Sequence, residues 1–464
     1  MSGTDRAAQS RPIGGGANAA ALSARLIREG VDGVVLHTVD NSGIGRVKTI
    51  PVARLEHAAR HGVGISPVFD TFLFDDSSTV SPHAGGPVGD LRLVPDLRRL
   101  VRLAAQPGWA WAPADRLTQA GEPWPICQRH FAHRQAERAR ALGLALRMSF
   151  EVEWVVGADD GRAFVPACGG AAYGADRLVP MADYGRDLVR ALVAEAVGVE
   201  QFHPEYAPGQ FEVSVAPQDP VGAADRTLLV RQTIAAVTYR HGWRCSFAPV
   251  VEPDGVGNGA HLHLSAWRDG RNCFAGGPGP HGLTAEGAAF VAGVLDALPA
   301  LLAVGAPSVA SYLRLVPQRW SGPFRCWGLE NREAGIRLIR GLAGTEGWAA
   351  NAEVKCFDAT ANPYLVVGAV VAAGLDGIER GLSLPPEVTV DPSTLAAGSD
   401  GGAAVERLPG SLGQALAHFR RSPVLAEAMG APLFETFASV REAELARLAG
   451  LGDAELATAV RWRS

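Results

Sequence analysis

The chain has 464 residues, of which 47% are hydrophobic and 20% charged, so it has the composition of a globular protein with room for two or three domains. The formal net charge of −5 gives no basic surface of the kind that binds nucleic acid. The longest apolar run that we identify, residues 364–375, is shorter than the roughly 18 residues needed to cross a bilayer, so no membrane partner is expected.

The N-terminal residues 1–19 lack the apolar stretch of a secretory signal and are predicted to be a disordered tail. The six cysteines are scattered along the chain and form no Cys-x-x-Cys motif. Both features are typical of a protein with reduced thiols, so we predict a cytoplasmic location.

The N-terminal part is predicted to be a small α+β domain over residues 20–113. In chain order it contains a helix (20–29), a β-hairpin (33–39 and 46–50), a polar loop (about 64–89) and two short strands (91–94 and 100–103). The Pro- and Trp-rich residues 109–125 are predicted to be a linker.

The larger part, residues 114–464, mixes helices and short strands in an irregular order. The predicted helices span residues 128–142, 184–197, 223–241, 285–304 and 363–380, with several more near the C-terminus. Because the order is not a regular alternation of strand and helix, we predict the α+β class rather than a doubly wound sheet.

Four of the predicted strands carry acidic, histidine or lysine residues on one face and apolar residues on the other. They span residues 144–156 (Glu151, Glu153), 210–215 (Glu212, with Glu205 just upstream), 260–265 (His261, His263, Ser265) and 352–357 (Glu353, Lys355). Alternation alone is typical of half-buried strands with a solvated face. However, five clustered carboxylates repel one another unless cations lie between them. Glutamates with few histidines suit Mg²⁺ or Mn²⁺, so we predict two or more such ions.

A basic segment lies between the third and fourth of these strands. Its five arginines fall within 24 residues: Arg314, Arg319, Arg325, Arg332 and Arg337. The alternative is a solvated basic loop, but guanidinium groups also match phosphate and carboxylate groups. Metal ions with arginines indicate a metal-dependent phosphoryl-transfer enzyme, with a two-metal phosphatase or nuclease as the main rival. The acidic net charge disfavours the nuclease.

Six segments resemble, in order, the motifs of the glutamine synthetase superfamily, over residues 31–380. They are FEVEW, PEYAPGQFEV, GNGAHLHLS, SYLRLVP, ENREAGIRL and EVKCFDATANPYL. The resemblance implies an N-terminal β-grasp domain, a larger catalytic domain and a two-step reaction. In that reaction ATP phosphorylates the γ-carboxylate of glutamate, and an amine nitrogen then displaces phosphate to form an amide.

The resemblance also implies two sets of metal ligands. The metal near glutamate is expected to bind Glu153, Glu205 and Glu212, and the metal that bridges the ATP phosphates to bind Glu151, His261 and Glu353. The nucleotide is expected to contact His263, Ser265 and Arg332.

Further roles follow from the same motifs. Arg314 and Lys355 are expected to bind the substrate, and Arg332 and Arg337 to hold the transferring phosphoryl group. Gly257 and Gly259 are expected to let the backbone approach the substrate.

Several positions depart from the ammonia-using members of this superfamily. Trp320 stands where those enzymes carry a flap glutamate, and Lys355 stands where they carry arginine. The loop of the ammonium site is best matched by residues 74–78, which include Asp75, although Asp70 and Asp76 are alternatives. Residues 382–386 lack the tyrosine of the adenylylation loop, so regulation by that route is not expected.

Trp320 and the altered Asp75 loop favour a ligase that joins glutamate to an organic amine, such as a polyamine, ethanolamine or another small alkylamine. The alternatives are an ammonia-using glutamine synthetase and a non-catalytic regulatory homologue. The intact set of ligands and arginines argues against the last of these. The resemblance further implies a homo-oligomer, commonly a dodecamer, with active sites between neighbouring subunits.

Overall fold

The structure is a computed structural model that describes residues 16–159, 163–395 and 405–463. Most of the predicted tail, residues 1–15, lies outside the described residues. The first helix, α1 (Gly16–Arg28), begins four residues before the predicted start of the domain.

The N-terminal part forms a six-stranded sheet. Its strands are β1 (Gly33–Val39), β2 (Gly45–Pro51), β3 (Val63–Ile65), β4 (Leu91–Pro95), β5 (Val101–Arg102) and β6 (Trp109–Leu117), in the order β2-β1-β6-β4-β3 with β5 on β6. The strands β1 and β2 form the predicted antiparallel hairpin, whereas β1 and β6 are parallel. Helices α1 and α2 (Leu55–His61) accompany the sheet, and Leu26, Leu36 and Leu93 belong to its core.

The predicted linker over residues 109–125 is wrong in its first half, because Trp109–Leu117 is strand β6. The predicted domain boundary after residue 113 therefore falls inside a strand that pairs with both β1 and β4. Pro113 contributed to the incorrect prediction of a linker, because proline is uncommon inside a sheet. Its carbonyl still accepts a hydrogen bond from the Asp96 N–H, and buried alanines flank it on both sides.

The larger part is built on a ten-stranded sheet. Its strands are β7 (Leu144–Asp159), β8 (Phe164–Pro166), β9 (Val199–Pro204), β10 (Gln210–Val215), β11 (Arg244–Ser246), β12 (Ala260–Arg268), β13 (Arg271–Asn272), β14 (Phe324–Leu329), β15 (Ala334–Ile339) and β16 (Asn351–Val354). The main path is β14-β15-β16-β12-β7-β10-β9, and β8, β11 and β13 pair at its sides. Three of the four strands predicted to carry functional residues are confirmed, whereas the fourth, predicted over 352–357, ends at Val354, so Lys355 follows the strand.

Helices accompany this sheet, and several of them cover its apolar face. They are α3 (Gln128–Ala141), α4 (Ala175–Leu178), α5 (Ala182–Ala194), α6 (Pro220–Arg240), α7 (Ala285–Gly305), α8 (Ser311–Arg314), α9 (Glu346–Ala349), α10 (Pro363–Glu379), α11 (Leu412–Arg420), α12 (Pro423–Met429), α13 (Ala431–Arg447) and α14 (Asp453–Val460). Met148, Phe150 and Val152 of β7 share one core with residues of α3, α6, α7 and α10. The opposite face of the strands therefore remains available for polar side chains.

Helix α7 corrects the expectation that the longest apolar run is residues 364–375. It has 21 residues and a mean hydropathy of 2.0, which is enough by length and composition to cross a membrane. However, 83% of its apolar window is buried inside the protein. The core of a globular protein needs such a helix too, and α7 packs in the main core.

Candidate active site

The pairing of strands aligns the predicted functional side chains across the large sheet. Glu212 of β10 lies opposite Glu153 of β7, and Glu151 of β7 lies opposite His261 of β12. Continuing across the sheet, Glu353 of β16 lies opposite both His263 of β12 and Arg337 of β15. Since side chains two apart on a strand point to the same face, these residues form one polar row above the apolar core.

One end of the row contains a group of carboxylates and imidazoles. The Nδ1 atom of His261 lies 2.9 Å from Glu151 Oε1 and 3.3 Å from Glu353 Oε1. The Nε2 atom of His263 lies 3.7 Å from Glu151 Oε2 and 4.0 Å from Glu353 Oε1. Ligand atoms of Glu151, His263 and Glu353 all lie within 4.8 Å of one another, close enough to share one ion.

The second group lies on β9 and β10. The Nε2 atom of His203 is 3.1 Å from Glu212 Oε1, and its Nδ1 atom is 3.7 Å from Glu205 Oε1. Ligand atoms of His203, Glu205 and Glu212 also lie within 4.8 Å of one another. Glu153 lies between the two groups. Its Oε1 atom is 3.7 Å from His261 Nε2, and on the other side it lies opposite Glu212 of β10.

Glu153 is held from two sides. Its Oε2 atom accepts hydrogen bonds from the backbone N–H of Gly259 (2.8 Å) and from Gln210 Nε2 (3.1 Å). Gln210 is completely buried and also donates to the Gly257 carbonyl and to Asn258 Oδ1. Gln210 therefore links a predicted metal ligand to the glycine-containing segment that follows β11.

The crowding of charges shifts the pKa values in the second group. Burial and the neighbouring carboxylates raise the pKa of Glu212 to about 8, although its hydrogen bond to His203 opposes the shift. The same hydrogen bond raises the pKa of His203 to about 9, and burial raises the pKa of Glu205. Without a cation, a proton is therefore retained between these residues near neutral pH.

The first group behaves differently because cationic side chains adjoin it. Burial acts to raise the pKa of Glu353, but Lys355 and the two histidines lower it to about 2. Burial acts to lower the pKa of His263, but Glu151 and Glu353 raise it to about 9. Glu353 is thus ionised, and the proton on His263 occupies a position where a divalent cation would satisfy the same carboxylates.

The donor sets fit the implied divalent cations. Each group offers carboxylate oxygens with one or two imidazoles and no thiolate, the ligand types that hard cations such as Mg²⁺ and Mn²⁺ accept. The resemblance assigned His261 to a metal and His263 to the nucleotide. In this structure both ring nitrogens of His261 have protein partners, whereas His263 Nε2 is buried without a hydrogen bond. The ligand role of His261 stays a prediction.

Two of the five arginines reach the polar row. Arg314 donates from Nη2 to His261 Nε2 (3.1 Å), and its Nη1 atom is buried without a partner. Arg337 donates from Nη1 to Glu353 Oε2 (3.1 Å) and also contacts Glu330, while its Nε atom has no partner. Lys355 lies 3.0 Å from Glu353 Oε1, so its ammonium group binds a predicted metal ligand.

The other three arginines are not gathered into this row. Arg332 is exposed and makes no hydrogen bond or ion pair within the described residues. Arg319 donates to the Gly255 carbonyl, and Arg325 pairs with Asp296 and Glu406. The interpretation of all five as one anion-binding cluster is therefore wrong for Arg325, whose partners lie elsewhere.

Gly257 and Gly259 must be glycines because neighbouring atoms leave no space for a Cβ atom at either position. A Cβ atom on Gly259 would lie 2.4 Å from His261 Nε2 and 2.8 Å from Arg314 Nη2. A Cβ atom on Gly257 would lie 2.1 Å from the Pro249 carbonyl oxygen and 2.9 Å from the Arg314 Cγ atom. Both glycines thus give Arg314 and His261 the space that they occupy.

The remaining predicted residues lie in different surroundings. Ser265 is buried on β12, and its hydroxyl accepts a hydrogen bond from Trp267 Nε1. Trp320 is 58% exposed. Asp75 binds Arg447 (2.8 Å) and Ser77, and it makes no contact with the polar row among the described residues. Asp70 is fully buried against Arg116, so this alternative to Asp75 has a structural partner.

Three residues near the row were missed by the sequence analysis. Gln210 lies within a motif quoted above, and His203 lies on β9 two residues before Glu205, which follows the strand. Tyr173 lies beside His203, with ring centres 6.3 Å apart and the rings tilted by 49°. The spacing of His203 and Glu205, two apart, was a usable signal. Tyr173 gave none, because it lies on an irregular segment far away in sequence.

Comparisons with known proteins identify the family. Residues 125–455 match the family described as glutamine synthetase, catalytic domain. The chain is 54% identical over 463 residues to a protein of Streptomyces coelicolor named gamma-glutamylpolyamine synthetase GlnA3, and the match covers 98% of this chain and 99% of the relative. It is 29% identical to a glutamine synthetase of Methanocaldococcus jannaschii, over 81% of this chain and 84% of the relative.

Solved structures have the same fold. A structure described as a novel glutamine synthase homolog matches with a TM-score of 0.82 at 35% identity, over 92% of this chain and 97% of the other. A GmaS complex with ADP matches with a TM-score of 0.81 at 29% identity, over 93% and 97%.

Proposed function

Since this chain belongs to the glutamine synthetase family, as its motifs predicted, we propose that it is an ATP-dependent ligase that joins the γ-carboxylate of glutamate to an organic amine. The observation that carries the proposal is the polar row on β10, β7, β12, β16 and β15. This row occurs in a chain that is 54% identical, over almost its whole length, to a gamma-glutamylpolyamine synthetase. We therefore propose a polyamine as the amine, with ethanolamine and other small alkylamines as alternatives.

The unpartnered donors suggest how the substrates bind. Arg314 would bind a carboxylate of glutamate, because its Nη1 atom is buried and lacks an acceptor. Arg337 would hold the phosphoryl group, since its Nε atom also lacks an acceptor and its Nη1 atom already contacts Glu353. Arg332 would bind the nucleotide, since its side chain is exposed and thus accessible to ATP.

In this proposal the acidic residues would hold the divalent cations, and the cations would bind the phosphates of ATP. Glu151, His263 and Glu353, with His261 beside them, would hold one cation, and Glu205, Glu212 and Glu153, with His203, would hold another. When bound, such cations neutralise the phosphates of ATP and polarise the transferring group. Lys355 supports the first set by keeping Glu353 ionised.

The amine side of the proposal depends on Trp320. A glutamate there would attract ammonium, whereas an exposed indole can pack against alkyl carbons and bind a cation over its face. Tyr173, whose ring centre lies 6.3 Å from that of His203, would supply a further polar contact for the amine.

A homo-oligomer, as the family resemblance implies, and a cytoplasmic location are parts of the same proposal. The oligomer rests on the family membership, since the carboxylate of Asp75 is bound by Arg447 and Ser77 of its own subunit. The location is supported by the six cysteines, all of which are free and lie in the described residues.

The experiment is a phosphate-release assay on the full chain with ATP, Mg²⁺ and glutamate. Ammonia, a monoamine, ethanolamine, a diamine and a triamine are tested separately, and the γ-glutamyl products are identified by mass spectrometry. We expect polyamines to give the fastest turnover. Turnover with ammonia alone would contradict the amine ligase, and no ATP consumption with any amine would support the non-catalytic homologue.

A matched pair of variants connects the activity to the site. Arg337→Gln removes a guanidinium that contacts Glu353 on β16, whereas Arg325→Gln removes one on the adjacent strand β14 that contacts only residues outside the row. We expect the first variant to lose about 100-fold or more in kcat, as is typical when a transition-state contact is lost, and the second to retain activity.

A further inference from the structure

The segment between α8 and β14, residues 315–323, holds Trp320 in an unusual backbone conformation. Gln318 and Trp320 both have positive φ angles, 62° and 53°, in the left-handed region that disfavours residues with a Cβ atom. Two such residues so close together need compensating contacts, because the segment would otherwise relax to a more favourable conformation.

A compensating contact comes from one buried carboxylate. Glu333 is 6% exposed, and its Oε1 atom accepts a hydrogen bond of 2.7 Å from the Trp320 N–H. This side chain therefore satisfies the N–H group of the strained residue Trp320.

Glu333 is fixed in turn by the strands of the active site. It directly follows Arg332 and precedes β15, and its own N–H donates to Asn331 Oδ1 at 3.1 Å. Asn331 is anchored by the carbonyls of Val388 and Val390. The Trp320 segment is consequently tied to the strand that carries Arg337.

A close contact on the other side leaves the segment little freedom. Gly322 also has a positive φ of 67°, and a Cβ atom there would lie 2.9 Å from the Cβ atom of Lys355 and 3.0 Å from the Ala334 carbonyl oxygen. The segment thus lies against Lys355, which binds Glu353, and against the first residue of β15.

We propose that Glu333 is a positioning residue that holds the Trp320 segment in place and thereby sets the affinity for the amine. Glu333 acts through the backbone of Trp320 and touches no substrate itself. The effect on the amine rests on the proposed function, whereas the effect on the segment does not.

The first test is hydrogen–deuterium exchange of residues 315–323 in the full chain without substrates. Glu333→Ala removes the hydrogen bond to the Trp320 N–H, so we expect exchange in this segment to accelerate by about tenfold or more. Glu333→Gln retains an acceptor oxygen and should give an intermediate rate. Glu406→Ala is the matched control, because Glu406 is an exposed glutamate that pairs with Arg325 of β14 and does not contact Gln318 or Trp320. Unchanged exchange in Glu333→Ala would overturn the proposal.

The second test separates positioning from general destabilisation. We expect Glu333→Ala to raise the KM for the preferred amine by about tenfold, the effect of losing a buried hydrogen bond, while the KM values for ATP and glutamate change much less. Equal increases in all three KM values, or an unchanged KM for the amine, would overturn the role in amine binding. If the wild-type chain turned over no amine, the proposed function would fail, but the exchange experiment would still decide whether Glu333 holds the segment.

Discussion

Three buried nitrogen atoms in the active site have no hydrogen-bond partner in the described part of the chain. They are Arg314 Nη1, Arg337 Nε and His263 Nε2. An unpaired buried donor is costly, and such donors are rare in folded proteins unless a ligand completes them. The two arginine nitrogens therefore mark positions where an anionic substrate group would bind. His263 Nε2, in the neutral imidazole, marks a position where a cation would bind.

Arg314 gives the clearest prediction at the scale of one residue. Arg314→Gln removes the charge that would meet the glutamate carboxylate, so we expect the KM for glutamate to rise by about 10- to 100-fold, the usual effect of losing a charge-assisted hydrogen bond. The KM for ATP should change little. The measurement is steady-state kinetics with each substrate varied in turn, and Arg325→Gln serves as the control. A rise in the KM for ATP alone would show that Arg314 binds the nucleotide side instead.

Most of the residues at the site could be predicted from the sequence because they lie on strands. Alternation places Glu151 with Glu153 and His261 with His263, and the structure gathers all four into the polar row. Asp75 and Trp320 lie on irregular segments, whose direction no periodicity reveals. The space needed by Arg314 beside Gly257 and Gly259 was equally invisible, because it depends on residues more than 50 positions away.

At the scale of elements, the four-residue helix α4 holds two neighbouring segments together through the side chain of Arg177. Arg177 is buried and donates to the carbonyls of Glu205 (2.6 Å), Tyr206 (2.9 Å) and Ala207 (2.8 Å), and twice to that of Gly170. Its guanidinium thereby joins the loop after β9 to the segment near Tyr173. The arrangement uses N–H groups on all three guanidinium nitrogens, whereas lysine has its three N–H groups on one nitrogen.

Arg177→Lys should therefore loosen the loop that carries Glu205. We expect the affinity for Mn²⁺, used as a probe of the second ligand group, to fall by about tenfold, because a ligand that is no longer held must be ordered when the ion binds. The affinity is measured by titration of the metal-free protein. Arg186→Lys, on the exposed face of the nearby helix α5, is the control. Equal Mn²⁺ affinity in the two variants would show that the hydrogen bonds of Arg177 are not needed to position Glu205.

The error at β6 has a physical explanation at the same scale. Strand β6 contains two tryptophans and Pro113, a composition that we interpreted as a linker, yet it lies in the middle of its sheet. The hydrogen bonds that decide this come from β1 and β4, which are distant in sequence. Local composition identified hairpin β1–β2 correctly because its partners adjoin one another, and it could not identify a strand whose partners do not.

At the scale of the whole molecule, one buried arginine connects the two sheets. Arg129 of α3 binds Asp225 of α6 (2.9 Å), Asp115 of β6 (2.7 Å) and Asp96 after β4 (2.9 Å). Tyr364 of α10 donates a further hydrogen bond of 2.6 Å to Asp225. The N-terminal sheet is thus held against the helices that cover the catalytic sheet, which fixes both parts around the active site.

This network predicts a large effect on stability. Arg129→Met removes the cation that these aspartates share and leaves the buried Asp225 with only Arg99, at 3.8 Å, so we expect the free energy of unfolding to fall by about 3–5 kcal/mol. Arg138→Met, on the same helix, removes only an exposed pair with Glu379 and should cost at most about 1 kcal/mol. Urea unfolding followed by circular dichroism and by tryptophan fluorescence measures both variants. If Arg129→Met unfolded at the same urea concentration as Arg138→Met, the network would not hold the two sheets together. If only one of the two signals moved, the sheets would unfold separately once Arg129 is lost.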